Sequence, residues 1–218
     1  MNPEAEADIR KAGSIARLKA HDVPYIDYLP RIETVEETER RTPEAVGTRI
    51  ICLALVSMKG AGADHDFVLE GVQHYGVEKE LSPKESTFIL DREPSENARL
   101  QFSWRAEAGH ALLWAAGRYD ELLFPSTSCD WNAFWSIFHT GDRASFLNGV
   151  LLRSQSEILD ESDFTYRLHW AAREASMKGQ AMPAGLNMDV VVERHHALNW
   201  LAAPADEPYL WDETPTDT

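Results

Sequence analysis

Cysteine is nearly absent from this chain: Cys52 and Cys129 are the only two in 218 residues. A pair so far apart makes neither a disulfide framework nor a four-ligand zinc site. Long apolar runs are missing too. The longest aliphatic stretch, Ile50 to Val56, falls well short of the roughly 20 residues needed to span a bilayer. The first residues, MNPEAEAD, are acidic and have no apolar core, so they do not read as a signal peptide and a cytoplasmic location is expected. Basic residues are scarce. Twenty-one Lys and Arg stand against 36 Asp and Glu, a formal charge of -15, with no Lys/Arg run. Nucleic acid and anionic membranes are thereby excluded as partners, since both require a basic surface or patch. An acidic surface instead suits solubility or a basic protein partner.

Catalytic signatures are lacking in the same way. There is no G-x-S-x-G elbow, no GxGxxG and no GxxxxGK[ST], so neither a nucleophile turn nor a phosphate loop is available. His195 and His196 are adjacent and diverge on a helix, and neither His110 nor His169 has a ligand-type residue at the i+3 or i+4 spacing of zinc helices. No metal and no cofactor is expected. Alternating apolar patterns of useful length are absent as well, and proline and glycine fall between helical segments.

What remains is helical periodicity, and the fold class expected is all-α. A single domain over 1–218 is anticipated, with seven to nine helices packed around one near 158–178. It comprises an N-terminal helix and connector (1–41), a helical body (42–203) and an irregular docked tail (204–218). Helix starts are marked by Asn2-Pro3, Thr42-Pro43, Asp64, Ser82-Pro83, Ser95, Asp130 and Asn187. The N-terminal helix shows Ile9, Ile15 and Leu18 at helical spacing. The Ser95 helix should run unbroken to about Gly117, gathering Leu100, Trp104, Ala108, Ala111, Leu112 and Ala115. The Asp130 helix carries Trp131, Phe134, Trp135 and Phe138 towards Gly141, and a helix from about Asp142 leads into the central one.

The central segment has two apolar arcs, Phe164, Leu168, Ala171, Ala172 and Ala175, and Leu159, Tyr166, Trp170 and Met177. A helix apolar on two flanks is covered by neighbours on both. Between the arcs runs a charged stripe in which Asp163/Arg167 and Glu174/Lys178 are spaced four apart, acid first, the favourable orientation. In the 188–202 helix the apolar face is Val190, Val191, Ala197, Leu198 and Leu201, and Arg194 falls in its middle. A guanidinium turned to a core cannot deprotonate, so it requires an anion there. Asp160, Asp163, Glu107 or a C-terminal carboxylate are the candidates, Glu107 being itself an acid on a core face.

The polar groups worth attention are therefore Glu107, Glu157, Asp160, Asp163, Arg167, His169, Arg173, Glu193, Arg194 and Asn199. They fit a binding pocket in which Arg194 accepts an anion and a carboxylate or His169 moves protons. They fit better a buried ion-pair network that fixes helix register. Trp104, Trp114, Trp170 and Trp200 read as core rather than ligand platform.

Five segments carry a resemblance: W-R-x-E-A-x-x-x-L-L-W-A-x-G at Trp104–Gly117, L-R-S-x-x-E-I-L-D at Leu152–Asp160, Y-R-L-H-W-A at Tyr166–Ala171, E-R-x-x-A-L-N-W-L at Glu193–Leu201, and W-D with the terminal T-D-T at Trp211–Thr218. In these the chain resembles the bacterial domain of unknown function 4272 family. The resemblance implies a cytoplasmic helical domain and transfers no substrate, cofactor or catalytic residue. By analogy with charge-rich helical domains, the expected function is non-catalytic protein binding, of an immunity or adaptor kind. The alternative is an enzyme or small-molecule sensor with an anion-accepting pocket around Arg194, Glu107, Asp160 and His169.

Overall fold

The computed structural model describes residues 3–136 and 141–218. Within them the protein is all-helical, with α1 Pro3–Ala20, α2 Pro43–Gly60, α3 His65–Tyr75, α4 Pro83–Leu90, α5 Glu96–Ser103, α6 Arg105–Ala115, α7 Trp131–Ser136, α8 Arg143–Asn148, α9 Gln155–Met177 and α10 Met188–Leu201. Two short 3-10 turns, Pro183–Gly185 and Trp211–Glu213, complete it. Among the described residues the extended pairing is limited to an isolated antiparallel bridge between Thr38 and Pro204. No helix there is long and apolar enough to cross a membrane. The anticipated cap at Asn2 and the Phe138 end of the α7 segment lie outside the described residues.

The caps explain why the helices start where they do. Thr42 accepts from the Ala45 N–H, Asp64 from Asp66 and Phe67, Ser95 from Ala98, and Asn187 from Asp189 and Val190. Each satisfies N–H groups that a helix start leaves without partners. Ser82 with Glu85 forms a reciprocal capping box, as does Ser154 with Glu157.

The described residues divide into two compact units. Unit 1 comprises Met1–Arg40, Leu123–Ser128 and Arg153–Thr218; unit 2 comprises Arg41–Leu122 and Cys129–Leu152. In unit 1, α9 is flanked by α1 and α10, and Leu18, Val23, Phe164, Leu168, Ala171, Ala172, Leu186 and Val191 form one buried cluster. Burying each large aliphatic or aromatic side chain contributes about 1.5–3 kcal/mol. Unit 2 is organised on α2, whose residues from Val46 to Ser57 are all buried, so it has a central helix of its own. A Cβ added at Gly60 would sit 2.4 Å from the Ser103 backbone nitrogen, so only glycine lets α2 approach α5 this closely.

Three expectations need correction. The helix from Ser95 to Gly117 is broken at Trp104 into α5 and α6. The Ser103 hydroxyl donates back to the Leu100 carbonyl at 2.8 Å, a contact that bends helices, and Leu100 faces solvent. Secondly, α8 does not lead into the central helix: it ends at Asn148, and α9 begins afresh behind its own cap at Ser154. Thirdly, α1 turns Ala7, Arg10, Ser14 and Leu18 inward and leaves Ile9 exposed. Arg10 can be buried because Glu6 and Asp160 hold its guanidinium at 2.7 and 3.0 Å.

Candidate functional site

The charged stripe of α9 is in part interior. Asp163 and Arg167 are both only 1% exposed. The carboxylate receives Arg167 Nε at 2.9 Å and Nη2 at 2.8 Å, a bidentate pair on one helix face. Arg167 Nη2 also donates to the Pro30 carbonyl at 3.1 Å, which ties the connector after α1 to the helix. Farther along α9, Glu174 pairs with Lys178 near the surface.

His169 of α9 and His195 of α10 meet with their Nδ1 atoms 2.8 Å apart and their ring planes at 77°. One nitrogen must donate and the other accept, so the two imidazoles are opposite tautomers. Burial pushes both pKa values down, to about 4 for His169, with the Arg173 charge adding to it, and to about 3 for His195, with His169 and His196 adding. Both rings are neutral at physiological pH. The next histidine, His196, faces elsewhere and donates Nε2–H to the Trp211 carbonyl at 2.9 Å, docking the tail.

Arg194 faces inward from α10, as the wheel requires, and is buried. Its Nη1 donates to the Leu123 carbonyl at 2.6 Å. The acid whose charge it meets is Glu161 of α9, which also pairs with Arg17 of α1 at 2.8 Å. Burial raises the Glu161 pKa, and the two guanidiniums work against that rise. Glu161 was not among the acids anticipated for Arg194, yet the wheel holds its signal: Phe164, Thr165 and Leu168, at i+3, i+4 and i+7, are all buried.

The other anticipated residues are distributed rather than gathered. Glu107 is fully buried in unit 2, where its carboxylate accepts from the Cys129 N–H at 2.5 Å. Glu157 caps α9 and pairs with Arg153 at 3.3 Å. Asp160 holds Arg10. Arg173 donates to the Thr218 carbonyl at 3.0 Å, and Glu193 is half-buried on α10. Asn199 accepts from the Ser162 hydroxyl at 3.4 Å and donates to the Pro215 carbonyl at 2.9 Å.

Beside Asn199, unit 1 has a polar cavity of about 180 Å³ that opens to solvent. Ser162 and Tyr166 of α9 and His195 and Asn199 of α10 line it with segment 30–33 of the connector and Tyr209 and Asp217 of the tail. The contact of His195 with His169 has no signal in the sequence, because a neighbour 26 positions away on another helix has no local spacing to announce it. Among the described residues no three His, Cys, Asp or Glu side chains are grouped to hold a metal ion. Cys52 is sealed in the core and burial pushes its thiol pKa up to about 12, far from the thiolate a nucleophile needs.

The family model for a domain of unknown function, DUF4272, matches residues 10–214. The chain belongs to the DUF4272 family. The matched span runs from the buried Arg10 of α1 to the 3-10 turn at Trp211 and therefore takes in all of α9 and α10. No curated protein and no solved structure matches the chain.

Proposed function

We propose that this DUF4272 domain is a non-catalytic, cytoplasmic protein-binding module, adaptor- or immunity-like, that engages a basic partner through an acidic face of unit 1. The observation that carries this reading is the pairing of two acidic segments. The Thr38–Pro204 bridge, with Glu39 N–H to Ala203 carbonyl at 3.2 Å and Ala205 N–H to Glu37 carbonyl at 2.8 Å, sets segment 33–39 beside segment 203–207. Glu36, Glu39, Asp206 and Glu207 are exposed there, while the Glu37 carboxylate turns back to the Thr34 N–H and hydroxyl. Val35 and Leu210, in and next to these segments, are 38% and 67% exposed. Apolar side chains among charged ones suit a protein interface, and complementary charge speeds and orients encounter.

Charge burial sharpens the acidity of the shell. Arg10, Arg49, Lys59, Arg167 and Arg194 are buried, against Glu85, Glu107 and Asp163 among the acids. The exposed surface is thus more negative than the chain's -15.

The test is charge reversal. A quadruple variant, Glu36→Lys, Glu39→Lys, Asp206→Lys and Glu207→Lys, is compared with the parent chain for capture of partners from the native lysate at low and high salt. The reading requires a basic protein retained by the parent, released by salt and lost in the variant; an identical set on both chains contradicts it.

A second reading, small-molecule binding, is favoured by the cavity beside His195.

A further inference from the structure

The cavity measures about 180 Å³ and opens to solvent beside the exposed Asp217. Any ligand there is small. His195 is only 1% exposed; its Nδ1 is engaged by His169, and its Nε2 has no hydrogen-bond partner among the described residues. The Tyr166 hydroxyl, on the same wall, has none either. His195 thus lies almost wholly in the interior yet lines the cavity with an imidazole whose second nitrogen is available as an acceptor.

The charges identify what suits the cavity. Glu33 and Asp217 line the cavity, and the arginine that shares it, Arg31, is paired with Asp8 at 2.8 Å. Tyr166 and Tyr209 supply aromatic surface. Carboxylates, aromatic rings and a neutral imidazole together favour a cation that can donate hydrogen bonds, and they disfavour an anion.

We propose that the cavity binds a small primary ammonium group, its charge balanced by Glu33 and Asp217 and one N–H donated to His195 Nε2. For Nε2 to accept, His195 must carry its proton on Nδ1 and donate it to His169 Nδ1, so His169 carries its own on Nε2. The ammonium can come from a free alkylamine or from the lysine side chain of a protein. The two readings are tested apart: the cavity is titrated in the parent chain, and the variants that test the acidic face are not used for it.

The experiment is a titration of the full-length chain, labelled with 15N-histidine, at pH 7 with n-butylamine and with Nα-acetyl-lysine methylamide; n-butanol and acetate serve as controls. Binding is expected to give a saturable shift of the His195 Nε2 resonance with one or both amines and none with the controls. A response to butylamine alone assigns the site to free amines, and a response to the lysine derivative admits a lysine side chain; both support the proposal. The exposed-mouth variant Glu33→Gln/Asp217→Asn should weaken binding at least about tenfold, a loss of about 1.4 kcal/mol, with an unchanged unfolding transition. The proposal is overturned by no saturable response at millimolar amine, by an equal response to butanol or acetate, or by undiminished affinity in the variant.

Discussion

His169 and His195 face one another from α9 and α10 with 2.8 Å between their Nδ1 atoms, and neither ring carries a charge at neutral pH. The unfolded chain takes up protons on both imidazoles near pH 6.5, whereas the folded chain resists until pH about 4 and about 3. Their contribution to stability is therefore complete above about pH 6.5 and is lost as the pH falls towards those values. For His169 alone the loss is on the order of 3 kcal/mol. Urea unfolding between pH 7 and pH 4 should show this fall, and a flatter profile in His169→Asn, whose amide can replace Nδ1. Equal slopes in the two proteins would contradict it.

The Asp163–Arg167 pair makes a sharper demand. Arg167→Met strands a buried carboxylate and should cost about 3–5 kcal/mol, while the double variant Asp163→Leu/Arg167→Met should return most of that. A denaturation cycle over the four proteins measures the coupling. A double variant as unstable as the worse single one would mean that the pair holds something besides its own charges.

Arg194→Met should be milder, about 2–3 kcal/mol, because Glu161 keeps Arg17 as a counter-charge while the Leu123 carbonyl loses a donor. The order of the two arginine variants in chemical denaturation is the check. Arg194→Met proving the more damaging would show that Arg17 does not neutralise Glu161.

In unit 2, Gly109 packs on the fully buried Phe134, and a Cβ there would lie 2.3 Å from the ring. On an exposed helix Gly→Ala stabilises by about 1 kcal/mol. Here Gly109→Ala should destabilise by about 1–3 kcal/mol through overpacking, read as a lowered urea midpoint with an unchanged slope.

How much of this was legible in the sequence depends on how local the cause is. Caps at Thr42, Asp64, Ser82, Ser95 and Asn187 act within three residues, so the all-α class and most helix starts could be read directly. Arg194 could be placed inside because its own face is apolar. The role of Glu157 is local too, since Ser154 three positions before it spells a capping box. Glu161 shares its face with the buried Phe164 and Leu168, so its inward turn is written in the helical wheel. The break at Trp104, the inward turn of Arg10 and the meeting of His169 with His195 depend on partners in other elements, and no periodicity encodes those.

The acidic face of unit 1 is tested most directly by site-specific photocrosslinking in the native lysate, with the crosslinker at Val35 or Leu210 and, as a control, at Met177 of α9, which is as exposed as Leu210. The account predicts salt-sensitive adducts to a basic protein from the first two positions and none from the third. Adducts of the same proteins from all three positions, or from Met177 alone, would contradict it.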